Sequence, residues 1–189
     1  MNLIAFHGKE SIKRKYLDRL AAHRKADELV QGVGWENGKG CLVGCTLESY
    51  DHARYETELG IPQMIARLFD VIFEGLPNGD AQAWPERSLS AIRPGADLSL
   101  VGWKFLAWLV PTTLERYGKE VAKECQDAVA ILVSLSQGQK VLEFAGERAA
   151  SAARSAERAA GSAEHAARSV ENAASREMAD KLVEFLASA

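Results

Sequence analysis

The order of apolar and polar positions predicts helix along most of the chain. Between Ser11 and Val30, Ile12, Tyr16 and Leu20 recur at helical spacing, with Leu17 and Ala21 beside them. Gly32 and Gly34 end that helix, and a glycine-rich turn follows to about Gly44. Asp51 to Leu59 reads as a short helix, capped by Ser49 and ended by Gly60. The next helix starts near Pro62 and stops at Gly75-Leu76-Pro77. Its apolar residues, Ile61, Met64, Ile65, Leu68, Phe69, Val71, Ile72 and Phe73, lie on nearly every side, which places it centrally in a core. Residues 75–96 hold three prolines and several glycines and read as a long surface loop carrying one short helix, Glu86 to Ile92. "DLSLVGWKFLAWLV" follows, with Asp97 as N-cap and Pro111 as terminator. Thr112 or Thr113 caps a helix that runs to about Gln137, before a break at Gly138. Period-two alternation is scarce, so no sheet is expected beyond a strand pair around Leu42–Leu47.

From Glu147 the chain repeats every seven residues, as "ERAASAA", "RSAERAA", "GSAEHAA" and "RSVENAA". One edge of that helix carries Ala149, Ala152, Ala156, Ala159, Ala163, Ala166, Val170 and Ala173. Alanine commits the segment to helix but buries little area. Its small side chains let a second helix approach at the near end of the usual spacing of about 8–10 Å. The edge is therefore a candidate interface, for an antiparallel neighbour in the same chain or for another copy. Met178, Leu182, Val183, Phe185 and Leu186 then form a bulkier stripe that needs a core to dock on. The pattern divides the chain into a helical body, 1–138, and a long Ala-rich helical tail, 139–189.

A chain of 189 residues is long enough to bury a real core. Its formal charge of -3 gives no global attraction to nucleic acid or to an anionic membrane. The basic run "KRKYLDRLAAHRK" is interleaved with apolar positions and reads as a solvated helix face. "LVGWKFLAWLV" is too short to cross a bilayer, which takes about 20 residues. The N-terminus lacks the residue order of a signal peptide, and the three cysteines form no even-numbered disulfide set. These features predict a cytoplasmic protein.

Candidate chemistry gathers in "WENGKGCLVGCTLESYDH". Cys41 and Cys45 are spaced C-x3-C, with His52 seven residues on. A zinc site needs four donors, so His7 or His23 would have to complete it. No second C-x-x-C is present, and neither a metal nor another cofactor is expected. A reactive cysteine is the alternative, with His52 or His23 as base and Asp51 or Asp27 orienting it. His23 and Asp27 continue the inward stripe of Ile12, Tyr16 and Leu20, so each needs a hydrogen-bond partner. The candidate pocket is thus His23, Asp27, Cys41, Cys45, Asp51 and His52. The plainer reading makes both cysteines small buried hydrophobes. No phosphate-binding loop, dinucleotide fingerprint, H-E-x-x-H or G-x-S-x-G occurs. Trp103 and Trp108 sit in an apolar helix and read as core, whereas Trp35 and Trp84 fall in loops and suit a binding surface.

"GKGCLVGCTLESYDHARYETELGIPQMIARLFDVIFEGLP", with the terminal "ADKLVEFLASA", resembles a family of uncharacterised bacterial and phage-borne proteins. The resemblance covers most of the chain, and the alanine-rich tail is similar to tails of some immunity-type proteins. It carries over no catalytic role, and it marks Cys41, Cys45, Asp51 and His52 as positions of interest. Two functions follow. The first is a non-enzymatic interaction or assembly protein, all-α, whose partner is another protein or itself. The second is an enzyme or ligand-binding protein that uses the Cys/His/Asp pocket.

Overall fold

A computed structural model describes residues 3–116, 123–138 and 171–189. The described residues are helical apart from one short hairpin, so the protein is all-α. Contacts group the chain into two compact units. One comprises Met1–Ser99 with Asn172–Ala189, and the other Leu100–Glu171.

In the first unit, helix α1 (Glu10–Lys25) buries Tyr16, Leu20 and His23, a stripe at helical spacing. It ends before Val30, because Asp27 adopts a left-handed backbone (φ 54°) and turns the chain back. Leu29 then bridges to Gly40, beside a hairpin of β1 (Trp35–Glu36) and β2 (Lys39–Gly40). Asn37 and Gly38 close the hairpin, both with positive φ (51° and 81°). That is the geometry in which an Asn-Gly pair turns a two-residue loop.

The strand pair therefore lies at 35–40 and not at Leu42–Leu47. The latter residues form helix α2 (Leu42–Leu47), all six of them buried. Cys41 caps this helix through its sulfur, which accepts the Gly44 N–H at 3.5 Å. Gly40 and Gly44 both press on the Gly34 carbonyl. A Cβ at either would come within 2.3 and 1.9 Å of that oxygen. The glycines pack the hairpin against α2 more closely than any side chain allows.

Asp51 to Leu59 is helical only from Tyr55 to Leu59, as a single π-helical turn ending at Gly60. The Asp51 side chain, rather than Ser49, caps the preceding turn by accepting the Ala53 N–H at 3.0 Å. Helix α3 (Gln63–Gly75) buries Ile65, Ala66, Phe69, Ile72 and Phe73. It is not apolar all round as expected. Val71 is 60% exposed, and the polar Asp70 next to it is buried.

The expected surface loop at 75–96 is mostly helix α4 (Asn78–Ser90). Ala81, Trp84, Pro85, Ser88 and Leu89 are buried, at the spacing of one helix face. Pro85 lies just past its midpoint and does not break it. Trp84 is therefore core and not a surface aromatic. Its indole N–H donates to the Phe69 carbonyl at 3.0 Å, and its ring meets the Phe69 ring edge-on. Lys13 of α1 donates to the Ser90 and Ile92 carbonyls, both at 2.8 Å, and so caps the end of α4.

At the end of the first unit's longer segment, Asp97 closes a turn by accepting the Ser99 N–H. In the second unit, helix α5 spans Val101–Arg116. Pro111 does not terminate α5, which runs on through it. Thr112 is no cap, since its hydroxyl bonds back to the Trp108 carbonyl within the same helix. Helix α6 (Lys123–Ser136) packs on α5 and ends before Gly138 (φ 73°), where the break was expected.

Helix α7 (Glu171–Ala187) buries Ser175, Ala179, Leu182 and Leu186 in the first unit. Arg87 of α4 pairs with its Asp180, and its Arg176 pairs with Asp80 of α4. Of the candidate interface, Ala173 is exposed on α7. Ala149, Ala152, Ala156, Ala159, Ala163, Ala166 and Val170 lie outside the described residues. Among the described residues, no helix is long and apolar enough to cross a membrane.

Candidate functional site

The six pocket residues read from the sequence separate into several places. His23 meets Glu28, not Asp27. Its Nδ1 lies 2.6 Å from Glu28 Oε2, and its ring stands edge-on to Trp35. Asp27 is exposed on the turn. The Cys45 thiol donates to the Gly40 and Glu28 carbonyls at 3.3 and 3.5 Å, beneath the hairpin. Burial pushes that thiol up to about 12, the Glu28 charge adding to it and the Gly40 contact opposing. Cys45 is a buried, hydrogen-bonded thiol packed beneath the hairpin. Asp51 is exposed and used in its own turn. His7 is engaged with the Thr57 carbonyl at 3.1 Å.

Cys41 and His52 do reach a common centre, and it is organised by residues that the sequence reading passed over. Asp70, Glu74 and Tyr50 are those residues. On α3, Asp70 and Glu74 are one turn apart and share a face. A carboxylate oxygen of each and the Cys41 sulfur all lie within 4.8 Å of one another. Tyr50 donates its hydroxyl to Asp70 Oδ2 at 3.0 Å. His52 Nε2 lies 3.3 Å from the same oxygen, and its ring packs edge-on against Tyr50. Asp70 Oδ1 is buried and has no hydrogen-bond partner among the described residues.

Backbone packing fixes the surroundings. Gln31 donates its side-chain amide to the Phe73, Glu74 and Leu76 carbonyls, which satisfies the C-terminal end of α3. The same turn sends the Gly32 N–H to Glu74 Oε2 at 2.7 Å. Tyr50 lies flat on Gly34, where a Cβ would approach the ring to 2.7 Å. Three segments distant in sequence, 31–34, 41–52 and 70–74, therefore meet at one cluster of side chains.

The cluster disfavours added negative charge. Burial, with Asp70 opposite, raises the Cys41 thiol well above its ordinary range, despite the Gly44 N–H that favours thiolate. Burial also raises the Glu74 carboxyl; the Gly32 N–H opposes this and Asp70 adds to it. Tyr50 is pushed up to about 12, by burial first and then by Asp70. A nucleophilic cysteine needs the opposite surroundings. The cluster instead sets a thiol and two carboxylates, one sulfur and two oxygens, within reach of one another.

Asp70 and Glu74 were hidden because α3 reads as apolar on nearly all sides. The signal was present: these are the acids of a helix otherwise rich in apolar residues, four residues apart. In comparisons with protein-family models, with curated proteins and with solved structures, the chain has no match.

Proposed function

We propose that this chain is a binding protein for a small cation, held at the cluster of Cys41, Asp70 and Glu74 with Tyr50 and His52 at its edge. One observation carries the reading: Asp70 is 8% exposed, yet its Oδ1 has no partner among the described residues. A buried oxygen of this kind forfeits about 1–3 kcal/mol of hydrogen bonding, and more when charged. A cation at Oδ1 would recover that loss and offset the neighbouring acids. A reducing, cytoplasmic setting accords with the proposal, because the site uses Cys41 as a free thiol.

The test is thermal unfolding of the full chain with a panel of divalent metals and of organic ammonium and guanidinium ions. A ligand at a hundredfold excess over its Kd stabilises by about 2.7 kcal/mol. In a chain of this size that raises Tm by roughly 5–10 °C. At least one cation should produce such a rise in the wild type and not in Asp70→Asn. No rise with any member of the panel would sink the reading.

The alanine repeat supports a second reading, assembly through a helix-to-helix seam with another copy or another protein. Native mass tests the homotypic form. A monomer at all concentrations up to the micromolar range removes it.

A further inference from the structure

We propose that the cation is a single divalent metal ion of the zinc class, bound by Cys41 Sγ, Asp70 Oδ1 and Glu74 Oε1 with a fourth position left open. This deepens the cation-binding reading and rests on it.

The assignment of ligand atoms follows from what each side chain already does. Tyr50 and His52 both occupy Oδ2 of Asp70, so Oδ1 is the oxygen left for a metal. Gly32 occupies Oε2 of Glu74, which leaves Oε1. Ligating carboxylates are commonly held in this way, one oxygen on the metal and the other on an outer hydrogen-bond donor. Cys41 is fixed as the cap of α2: its sulfur accepts the Gly44 N–H, and its thiol donates to the Gly34 carbonyl at 3.5 Å. A metal would replace the second contact, while the Gly44 N–H would persist on a thiolate.

Spacing agrees with a small metal. Bonds of about 2.0–2.3 Å in a tetrahedral site put neighbouring donors roughly 3.3–3.8 Å apart. The Cys41 sulfur and one oxygen of each carboxylate already lie within 4.8 Å of each other, so closure takes side-chain shifts on the order of 1 Å. Asp70 is buried and held by Tyr50 and His52, while Glu74 is exposed and tied only through Oε2 to the Gly32 N–H.

The donor set selects the metal class. Calcium and magnesium take oxygen ligands and gain nothing from sulfur. One thiolate with two carboxylates suits zinc, cobalt or cadmium. On binding, the Cys41 S–H bond breaks heterolytically, its proton leaves to solvent, and its electron pair forms the sulfur–metal bond. The two carboxylates each contribute a lone pair. Three protein ligands leave a coordination position for water or a further ligand.

Cys45 supplies an internal control, because its thiol bonds to the Gly40 and Glu28 carbonyls and takes no part in the cluster. The experiment is titration of the reduced full-length protein with cobalt(II), followed by displacement with zinc(II). The expected result is one equivalent of cobalt, a near-ultraviolet thiolate-to-cobalt band, and loss of that band as zinc is added. Cys41→Ser should abolish the band and Cys45→Ser should retain it. Asp70→Asn and Glu74→Gln should each weaken binding by about tenfold or more. Absence of the band in folded wild type overturns the proposal, as does a band that survives Cys41→Ser and disappears in Cys45→Ser. Should Cys41→Ser not fold by circular dichroism, Glu74→Gln decides: unchanged cobalt affinity there overturns the metal assignment. If an organic cation stabilises the protein in an Asp70-dependent way while cobalt and zinc do not bind, the metal inference fails and the broader reading stands. If nothing binds, both fail.

Discussion

The hydroxyl of Tyr50 donates to Oδ2 of Asp70 at 3.0 Å, joining a residue that is 53% exposed to one that is 8% exposed. The contact fixes the Asp70 carboxylate from the solvent side. Tyr50→Phe keeps the ring on Gly34 and removes only this bond. It should lower stability by about 1 kcal/mol, since His52 still faces the same oxygen. Urea unfolding measures this, and a loss above about 3 kcal/mol would show that more than one hydrogen bond was involved.

Gly44 sits where α2 presses on the Gly34 carbonyl, and an added Cβ would lie 1.9 Å from that oxygen. Gly44→Ala forces the glycine-rich turn away from the Cys41 cap. The expected loss is about 1–3 kcal/mol, as for overpacking elsewhere. Cation stabilisation should fall with it, because the same turn delivers the Gly32 N–H to Glu74. Retention of full cation stabilisation would separate the turn from the site.

Glu58 provides a pH-dependent stability term away from the cluster. Burial by itself would raise its carboxyl. The Tyr16 hydroxyl at 2.6 Å and the Arg54 guanidinium outweigh burial and hold it below its ordinary value of 4.5. A depressed acid contributes stability that is fully present above its unfolded value and lost as pH falls through the lower folded one. The unfolding midpoint of the wild type should therefore drop on acidification below about pH 4.5, and Glu58→Gln should remove part of that slope. Parallel pH profiles for the two proteins would contradict this.

Trp84 joins α3 to α4 through its indole N–H and its edge-on contact with Phe69. Trp84→Ala should cost about 3–5 kcal/mol, in the range of large core truncations. Trp84→Phe keeps the ring contact and should cost less than half as much. Equal losses in chemical denaturation would mean that ring burial contributes little.

Helix α7 distinguishes burial from charge. Leu182 is fully buried, so Leu182→Ala should cost about 2–5 kcal/mol. Arg87 and Arg176 form exposed ion pairs, and replacing either with alanine should change stability by about 0–1 kcal/mol. Calorimetry at low and high salt checks both. A large salt-sensitive loss in the arginine variants would reverse the ranking.

Helices α1, α3, α5 and α6 were legible because their stripes repeat at short range. Helix α4 was concealed by its prolines and glycines, although Ala81, Trp84, Pro85, Ser88 and Leu89 keep a helical spacing. Pro85 is an interior residue of the helix, where it gives up one backbone hydrogen bond but is itself buried on the apolar face. The hairpin was displaced by several residues because the apolar run Leu42–Leu47 outweighed the Asn37-Gly38 turn signal. In fact six buried residues capped by Cys41 are satisfied as helix. Of the site, Cys41 and His52 were named from their local cluster. Cys45 and Asp51 were named with them but find their partners in nearby turns, and Asp27 is exposed in a turn of its own.

The amino-acid order alone determined that the segments of α1, α3, α5 and α6 are helix and where several of them stop, because helix formation depends on neighbours three and four residues away and on local caps. Only the tertiary structure decided that Asp70 turns inward while Val71 faces water, and that Cys41, Tyr50, His52 and Glu74 surround it. Those residues are up to 33 positions apart (74 − 41). They meet because Gln31 and the Gly34–Gly40–Gly44 contact pack the hairpin, α2 and the end of α3 against one another, an arrangement set by shape and burial across the core that no short-range pattern encodes.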